Sequence, residues 1–337
     1  MKAEVVSTDT PASFKAAVLR AAERLRAGEV VALPTETVYG LAANALDPGA
    51  VSRIYEIKGR PAHNPIIVHV ASVDMAKKCV TRWPALADKL AKAFWPGPLT
   101  LVLPRAQAIP EIVTAGGPTV GVRWPNHPFT QAVIRECGFP LAAPSANPAS
   151  RVSPTTAAHV LEDLGSRLRL IVDGGPSQMG IESTVLDLTV EPPRVLRPGM
   201  IHEESLRAAM GNLQPSTFNL QPSTLRSPGL LRKHYAPKAE LLVLNWRDAA
   251  DVKSQIANRK SQIANCHIIA HNRVPSRAGV GGVSVIPHDA AAFGRAIYAE
   301  LRRCDDAGAD LIVVESPPDT AEWRAIADRL ARAAAAQ

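Results

Sequence analysis

Lys58, Arg60 and Asn64 fall together in KGRPAHNP at 58–65. Two cations around a glycine, two prolines that fix φ, and an amide that both donates and accepts make a stiff cradle suited to a phosphate chain. Taken alone, a Lys-x-Arg is more often a solvated turn; it is the stiffened sequel that favours a held ligand. Other polar stretches rich in glycine and proline are PTETVYG at 34–40, WPGPLT at 95–100, APSANPASRVSPT at 143–155 and DGGPSQMGIEST at 173–184. Ser145 and Asn147 in PSANP can make a turn or bind, and the glycines of DGGP allow close backbone approach. Arg123 closes an apolar strand pattern, where its guanidinium could clamp a carboxylate or pair with a structural acid. His69, inside IIVHV, reads first as a core histidine satisfied by a neighbour. These residues form no nucleophile–base–orienter triad, Walker A loop or H-E-x-x-H motif, so the chemistry should rest on positioning and charge.

The elements that must hold these loops alternate along the chain. Residues 11–27 predict an amphipathic helix with Phe14, Val18, Ala21, Ala22 and Leu25 on one stripe, Thr10 before it and Gly28 after it. Strands are predicted at EVVALP, PIIVHV, LTLVL, VGVRW, LRLIVD and STVLDL, with helices near 49–57, 84–94, 128–137 and 155–164. Beyond them, Ser205 to Ala239 contains no acidic residue but holds Arg207, Arg226, Arg232, Lys233 and Lys238, a basic linker. Within it NLQPST at 212–217 returns at 219–224, and KSQIAN at 253–258 returns at 260–265; two copies are too few for a solenoid. ELLVL, HIIA, GVSVI and LIVVES alternate with helical patterns, including 290–304 and 320–335, and predict a small parallel-sheet domain without a G-x-G-x-x-G loop.

At 337 residues two domains are expected. Hydrophobic content of 46% and charged content of 20% are ordinary for a soluble protein. No run approaches the roughly 18 apolar residues of a membrane span, and the N-terminal stretch has no continuous apolar core for a secretory signal. The expectation is a cytoplasmic protein with no membrane partner. Cys79, Cys137, Cys266 and Cys304 stand singly, which argues for buried fillers and against zinc or disulfides; no metal ligands are assigned. A net charge of +7 fits nucleotide phosphates or RNA.

Together and in this order, the motifs resemble the threonylcarbamoyl-AMP synthase family in its two-domain long form. The resemblance covers residues 20–205 and resumes at SPGLLRKHYAPKAEL, 227–241, where Leu230 replaces the usual methionine. It implies a YrdC-like α/β domain at 1–205 with a twisted mixed sheet, a linker or lid at 206–239, and a Rossmann-like parallel-sheet domain at 240–337. It also implies condensation of L-threonine, bicarbonate or CO2 and ATP to threonylcarbamoyl-AMP and pyrophosphate, supplying a tRNA threonylcarbamoyl-transferase machinery. Position by position, Lys58 and Arg60 would be catalytic. Threonine would meet Thr37, His69, Arg123, the Ala143 backbone and Ser183. ATP, with Mg2+ expected on its phosphates, would meet Lys58, Arg60, Asn64, Thr119, Ser145, Asn147, Ser153, Arg197 and Tyr235. The competing expectation is an RNA-binding module with no threonine-dependent turnover, weakened by an aromatic content of only 4%. Carbamoyl chemistry in metalloenzyme maturation lacks the cysteine pairs expected around such a domain.

Overall fold

The computed structural model describes residues 3–59, 64–210, 234–257, 265–276 and 279–335. Arg60, both NLQPST copies and most of the basic linker lie outside the described residues. The chain divides into two compact units, the first Met1–Ala149, Pro154–Gln178 and Glu182–Leu230, the second Ser150–Ser153, Met179–Ile181 and Leu231–Gln337.

In chain order the first unit contains β1 (Glu4–Ser7), α1 (Pro11–Arg26), β2 (Val31–Leu33), β3 (Gly40–Asn44), α2 (Pro48–Lys58), β4 (Val68–His69), α3 (Val73–Lys78), α4 (Ala85–Phe94) and β5 (Leu99–Pro104). There follow β6 (Thr119–Arg123), α5 (Pro128–Cys137), β7 (Leu141–Ala142), α6 (Ala157–Leu164), β8 (Leu170–Asp173), β9 (Thr184–Asp187), β10 (Arg194–Arg197) and α7 (Glu203–Met210). The start of α1 is fixed by a reciprocal capping box between Thr10 and Ser13, with Pro11 preset for the first turn. α2 starts on the Asp47 side chain, which accepts from Gly49 and Ala50 N–H, and stops at Gly59 in the left-handed region, φ 59°. That stop puts Lys58 in the last turn, where a cation suits the helix dipole.

The strands form one ten-stranded sheet in the order β1-β8-β2-β3-β7-β4-β6-β5-β9-β10. It is mixed: β8 is parallel to β1 and β2, β4 to β6 and β5 to β9, while β2/β3, β3/β7, β4/β7, β5/β6 and β9/β10 are antiparallel. Alternation along the strands sorts two faces in the β4-β6-β5-β9 half. Val68, Val120, Val122, Leu99, Leu101, Leu103 and Leu186 join the main core with the buried faces of α2, α4 and α6. The opposite face carries Ile67, His69, Thr119, Gly121, Arg123, Thr100, Val102 and Val185, and a cluster of Ile67, Val102, Val185 and Leu196 packs there. That face is where polar side chains can meet a ligand.

The second unit holds β11 (Glu240–Leu244), α8 (Ala249–Ala257), β12 (Cys266–Ala270), β13 (Gly282–Val285), α9 (Ala290–Asp306), β14 (Leu311–Glu315) and α10 (Arg324–Ala334). Its four strands, in the order β11-β14-β12-β13, are all parallel. The architecture is therefore the expected α/β pair: a large mixed sheet and a smaller Rossmann-like parallel sheet. Among the described residues no helix is long and apolar enough to cross a membrane.

Candidate functional site

Arg123 ends β6 beside His69, its register partner on the parallel strand β4. Its guanidinium is almost wholly buried and anchored on two sides, Nη1 donating to Thr37 Oγ1 at 3.0 Å and Nε to the Gly97 carbonyl at 3.3 Å. The third contact was not foreseen: Glu36 Oε1 lies 2.7 Å from Nη2, with the two side chains 1% and 5% exposed. That approach is an ion pair out of hydrogen-bonding alignment, because neither Glu36 oxygen nor Nη2 has a hydrogen-bond partner among the described residues. Of the two roles open to Arg123 in the sequence, the structure supplies the acid. The loop that brings Glu36 and Thr37 there is stiffened by Thr35, whose Oγ1 donates to the Val38 carbonyl at 2.6 Å and lies 2.9 Å from Thr37 Oγ1. Gly97 is obligatory in its own loop, since a Cβ there would sit 2.3 Å from the Phe94 carbonyl oxygen.

Burial first, and then the Arg123 charge, push the His69 imidazole down to about 3. It is a neutral ring whose Nδ1 has no hydrogen-bond partner among the described residues, equipped to share a hydrogen bond with a hydroxyl or carboxylate rather than to carry charge.

Across the same face, Ser183 Oγ lies 2.9 Å from Thr100 Oγ1 and accepts from Arg197 Nη2 at 3.0 Å, while Arg197 Nε donates to the Ser183 carbonyl at 3.1 Å. Ser183 and Arg197, which the sequence assigns to different ligands, thus form one buried unit. Beside it Gly121 borders a small recess, about 10 Å³, lined among others by Ile67, Thr100, Val102, Thr119 and Val185. A Cβ at Gly121 would stand 3.1 Å from Thr100 Cγ2 and 3.5 Å from Ile67 Cγ1.

The phosphate-cradle residues are arranged differently from their sequence reading. Lys58 is buried, and its ammonium donates to the carbonyls of Ser145 and Asn147, both at 2.5 Å. Ala149 N–H returns a bond to the Lys58 carbonyl at 2.9 Å. Lys58 therefore pins the PSANP loop to the end of α2. On the loop's other side, Leu41 N–H donates to Pro144 O and Ala146 N–H to Tyr39 O, each at 2.8 Å. Asn64 is buried, its carbonyl accepting from Tyr55 OH at 3.1 Å. Ala143 N–H donates to Ile67 O at 3.1 Å.

Ser153 and Tyr235 belong to the second unit. There Ala236 N–H donates to Ser150 O at 2.9 Å, and the Tyr235 ring stacks on Tyr298 at 5.9 Å with Arg329 5.3 Å from its centroid. All four cysteines are free and buried. Burial raises Cys79 and Cys304 to about 12 and Cys137 and Cys266 to about 11, so none is poised as a nucleophile. Glu36, Thr100 and Gly97 are the functional-face residues that sequence reasoning missed.

A family model for Sua5, YciO and YrdC proteins, described as telomere recombination, matches residues 23–199, and one described as the threonylcarbamoyl-AMP synthase C-terminal domain matches 201–335. The threonylcarbamoyl-AMP synthase of Pyrococcus abyssi is 40% identical over 318 residues, covering 93% of this chain and 92% of that protein. The threonylcarbamoyl-AMP synthase of Bacillus subtilis is 41% identical over 341 residues, covering 98% and 94%. Among solved structures, P. abyssi Sua5 complexed with L-threonine superposes with a TM-score of 0.88 at 37% identity, covering 99% of this chain and 98% of that one. Escherichia coli YciO, with a TM-score of 0.51 at 26% identity, covers 58% of this chain and 94% of its own.

Proposed function

The chain belongs to the Sua5/YciO/YrdC family in the form that carries the threonylcarbamoyl-AMP synthase C-terminal domain, and from that premise we propose how the sheet face that carries Arg123 performs the family's reaction. The protein is an L-threonylcarbamoyladenylate synthase, a nucleotidyltransferase that condenses L-threonine, bicarbonate and ATP to threonylcarbamoyl-AMP and pyrophosphate for tRNA modification. An RNA-binding module without turnover is not favoured by this membership.

The observation that carries the site reading is the buried Arg123 guanidinium beside neutral His69 and Thr37. Arg123 would take the threonine carboxylate; Thr37, His69 and the Ala143 carbonyl would position the rest of the amino acid, with Ser183 closing its far side. Substrate hydroxyl recognition by such buried polar groups penalises ligands that lack it, because their partners are then left unpaired. ATP would lie along the recess at Thr119 and Gly121 toward Arg197 and the Ser145–Asn147 loop, with Asn64 and Arg60 at the phosphates. Lys58 would act by holding that loop and contributing its charge from behind it.

The threonine ammonium gives up a proton, and the free amine forms an N–C bond to the carbon of bicarbonate with loss of water, giving the carbamate. Its oxygen then attacks the α-phosphorus, the new O–P bond forms as the bond to the β-phosphate oxygen breaks, and pyrophosphate leaves with the electron pair. The attacking oxygen is already anionic, so orientation and charge stabilisation suffice and no protein nucleophile is needed. Mg2+ is expected to arrive with ATP, carried on its phosphates.

Ser153 and Tyr235 are carried over from the family resemblance as nucleotide contacts. Tyr235→Ala should weaken ATP binding; an unchanged affinity would refute that role. The reading as a whole is tested by pyrophosphate release with ATP, L-threonine and bicarbonate together and with each omitted. Release should need all three and should be lost in Arg123→Ala.

A further inference from the structure

We propose that Glu36 receives the α-ammonium of the amino-acid substrate while Arg123 takes its carboxylate, so that the pair recognises the zwitterion as a unit. The inference rests on the threonine-binding reading above and assigns a residue that reading leaves without a role.

Three polar atoms at the head of β6 lack hydrogen-bond partners among the described residues: Glu36 Oε1, Glu36 Oε2 and Arg123 Nη2. The remaining guanidinium contacts are committed, Nη1 to Thr37 and Nε to Gly97. A carboxylate 1% exposed with no donor on either oxygen is costly to bury, and a counter-charge at 2.7 Å out of alignment offsets only part of that. A bound α-amino acid supplies what is missing. Its ammonium carries three donors for the two Glu36 oxygens, and its carboxylate, one carbon away, accepts from Nη2. The order of charges in the protein, acid beside base, is the complement of the ligand's.

The neighbours do not compete for this task. His69, register partner of Arg123, stays neutral, and His127, on which the Glu36 charge acts, is still pushed down overall by its own burial. Neither brings a lasting cation to Glu36 at neutral pH. If Glu36 served only to hold Arg123 in place, its loss would weaken every carboxylate ligand alike; as an ammonium acceptor it discriminates between amino acids and their deaminated counterparts.

The experiment is calorimetric titration of the full-length protein with L-threonine and with the 2,3-dihydroxybutyrate of matching configuration, which keeps carboxylate and hydroxyl but lacks the ammonium. Wild type should bind threonine about 30-fold more tightly than the deaminated acid, the worth of charge-assisted hydrogen bonds. In Glu36→Gln that ratio should collapse toward unity while affinity for the deaminated acid is kept, with Glu36→Asp intermediate; melting curves establish that each variant is folded. Equal wild-type affinity for the two ligands overturns the inference even if no variant folds. So does a Glu36→Gln protein that keeps the wild-type ratio or loses both ligands equally. Absence of threonine binding by wild type would overturn both this inference and the reading beneath it. Threonine binding with discrimination but without adenylate formation in the pyrophosphate-release assay would instead refute adenylate synthesis at this site and support Glu36.

Discussion

Lys58→Met separates two accounts of a cation that the sequence alone presents as a phosphate grip. In the structure the ammonium donates to Ser145 O and Asn147 O, both at 2.5 Å, from a side chain only 3% exposed. Methionine is close in volume, so it removes the charge and both hydrogen bonds without opening a large cavity. Hydrogen bonds to a charged group contribute about 1.5–3 kcal/mol each, and the two carbonyls lose their donor together, so about 4 kcal/mol should be lost. For a unit of this size each kcal/mol moves Tm by about 2–4 °C, giving a drop of roughly 10 °C. Differential scanning calorimetry of wild type and variant measures it, and pyrophosphate release shows the accompanying loss of activity as the Ser145–Asn147 loop comes free. A lysine that only reached toward phosphates would leave Tm unchanged, because no group of the protein would lose a partner. A variant melting within about 2 °C of wild type yet inactive would refute the pinning role.

His69 gives a pH prediction of definite sign. Its folded value, about 3, lies below the ordinary 6.5, so the unfolded chain binds the proton first. The stability that neutral His69 contributes is therefore complete above about pH 6.5 and is lost as pH falls toward 3, by up to about 1.4 kcal/mol per pH unit. Urea denaturation at pH 7 and pH 5 should show a smaller decline for His69→Gln than for wild type. Gly121→Ala projects a methyl into the recess, 3.1 Å from Thr100 Cγ2, and should raise the KM for ATP about tenfold with Tm within a few degrees of wild type. The four cysteines, buried and raised to about 11–12, should resist a disulfide reagent in the native protein and all react once it is unfolded.

The parts of the fold legible in the sequence are those with a clear period or strong caps. α5 is read at 128–137 and found at Pro128–Cys137, and ELLVL is found as β11, Glu240–Leu244. α1 ends one residue earlier than predicted, at Arg26, with Gly28 beyond it at φ 75°. β1, β3, β7, β10, α3 and α7 are absent from the sequence reading. β3, Gly40–Asn44, has the sequence GLAAN, whose small residues carry no alternation; it is a strand because β2 and β7 pair with it on either side. β7 is two residues long, below what any local pattern can display.

In the site, residue types gave the polar face but not the partners. That Lys58 meets carbonyls 87 and 89 residues later depends on the close of α2 at Gly59 and on the bridge between Gly40 and Ser145. Neither is a local property. Glu36 left a signal that could have been used: an acid between two threonines, flanked by the apolar runs VVALP and VYGLAA, is an acid headed for burial, and a buried acid needs a named partner. Arg123, with its two possible roles, was the residue to pair it with.

The central claim is that carbamoylated threonine is joined to the α-phosphate of ATP on this sheet face. The direct measurement is mass spectrometry of a rapid quench of wild-type protein with ATP, L-threonine and isotopically labelled bicarbonate. The account predicts AMP joined to threonine through one labelled carbon, formed in equal amount with pyrophosphate and lost in Arg123→Ala. Pyrophosphate released with AMP alone, or ADP in place of pyrophosphate, would contradict it.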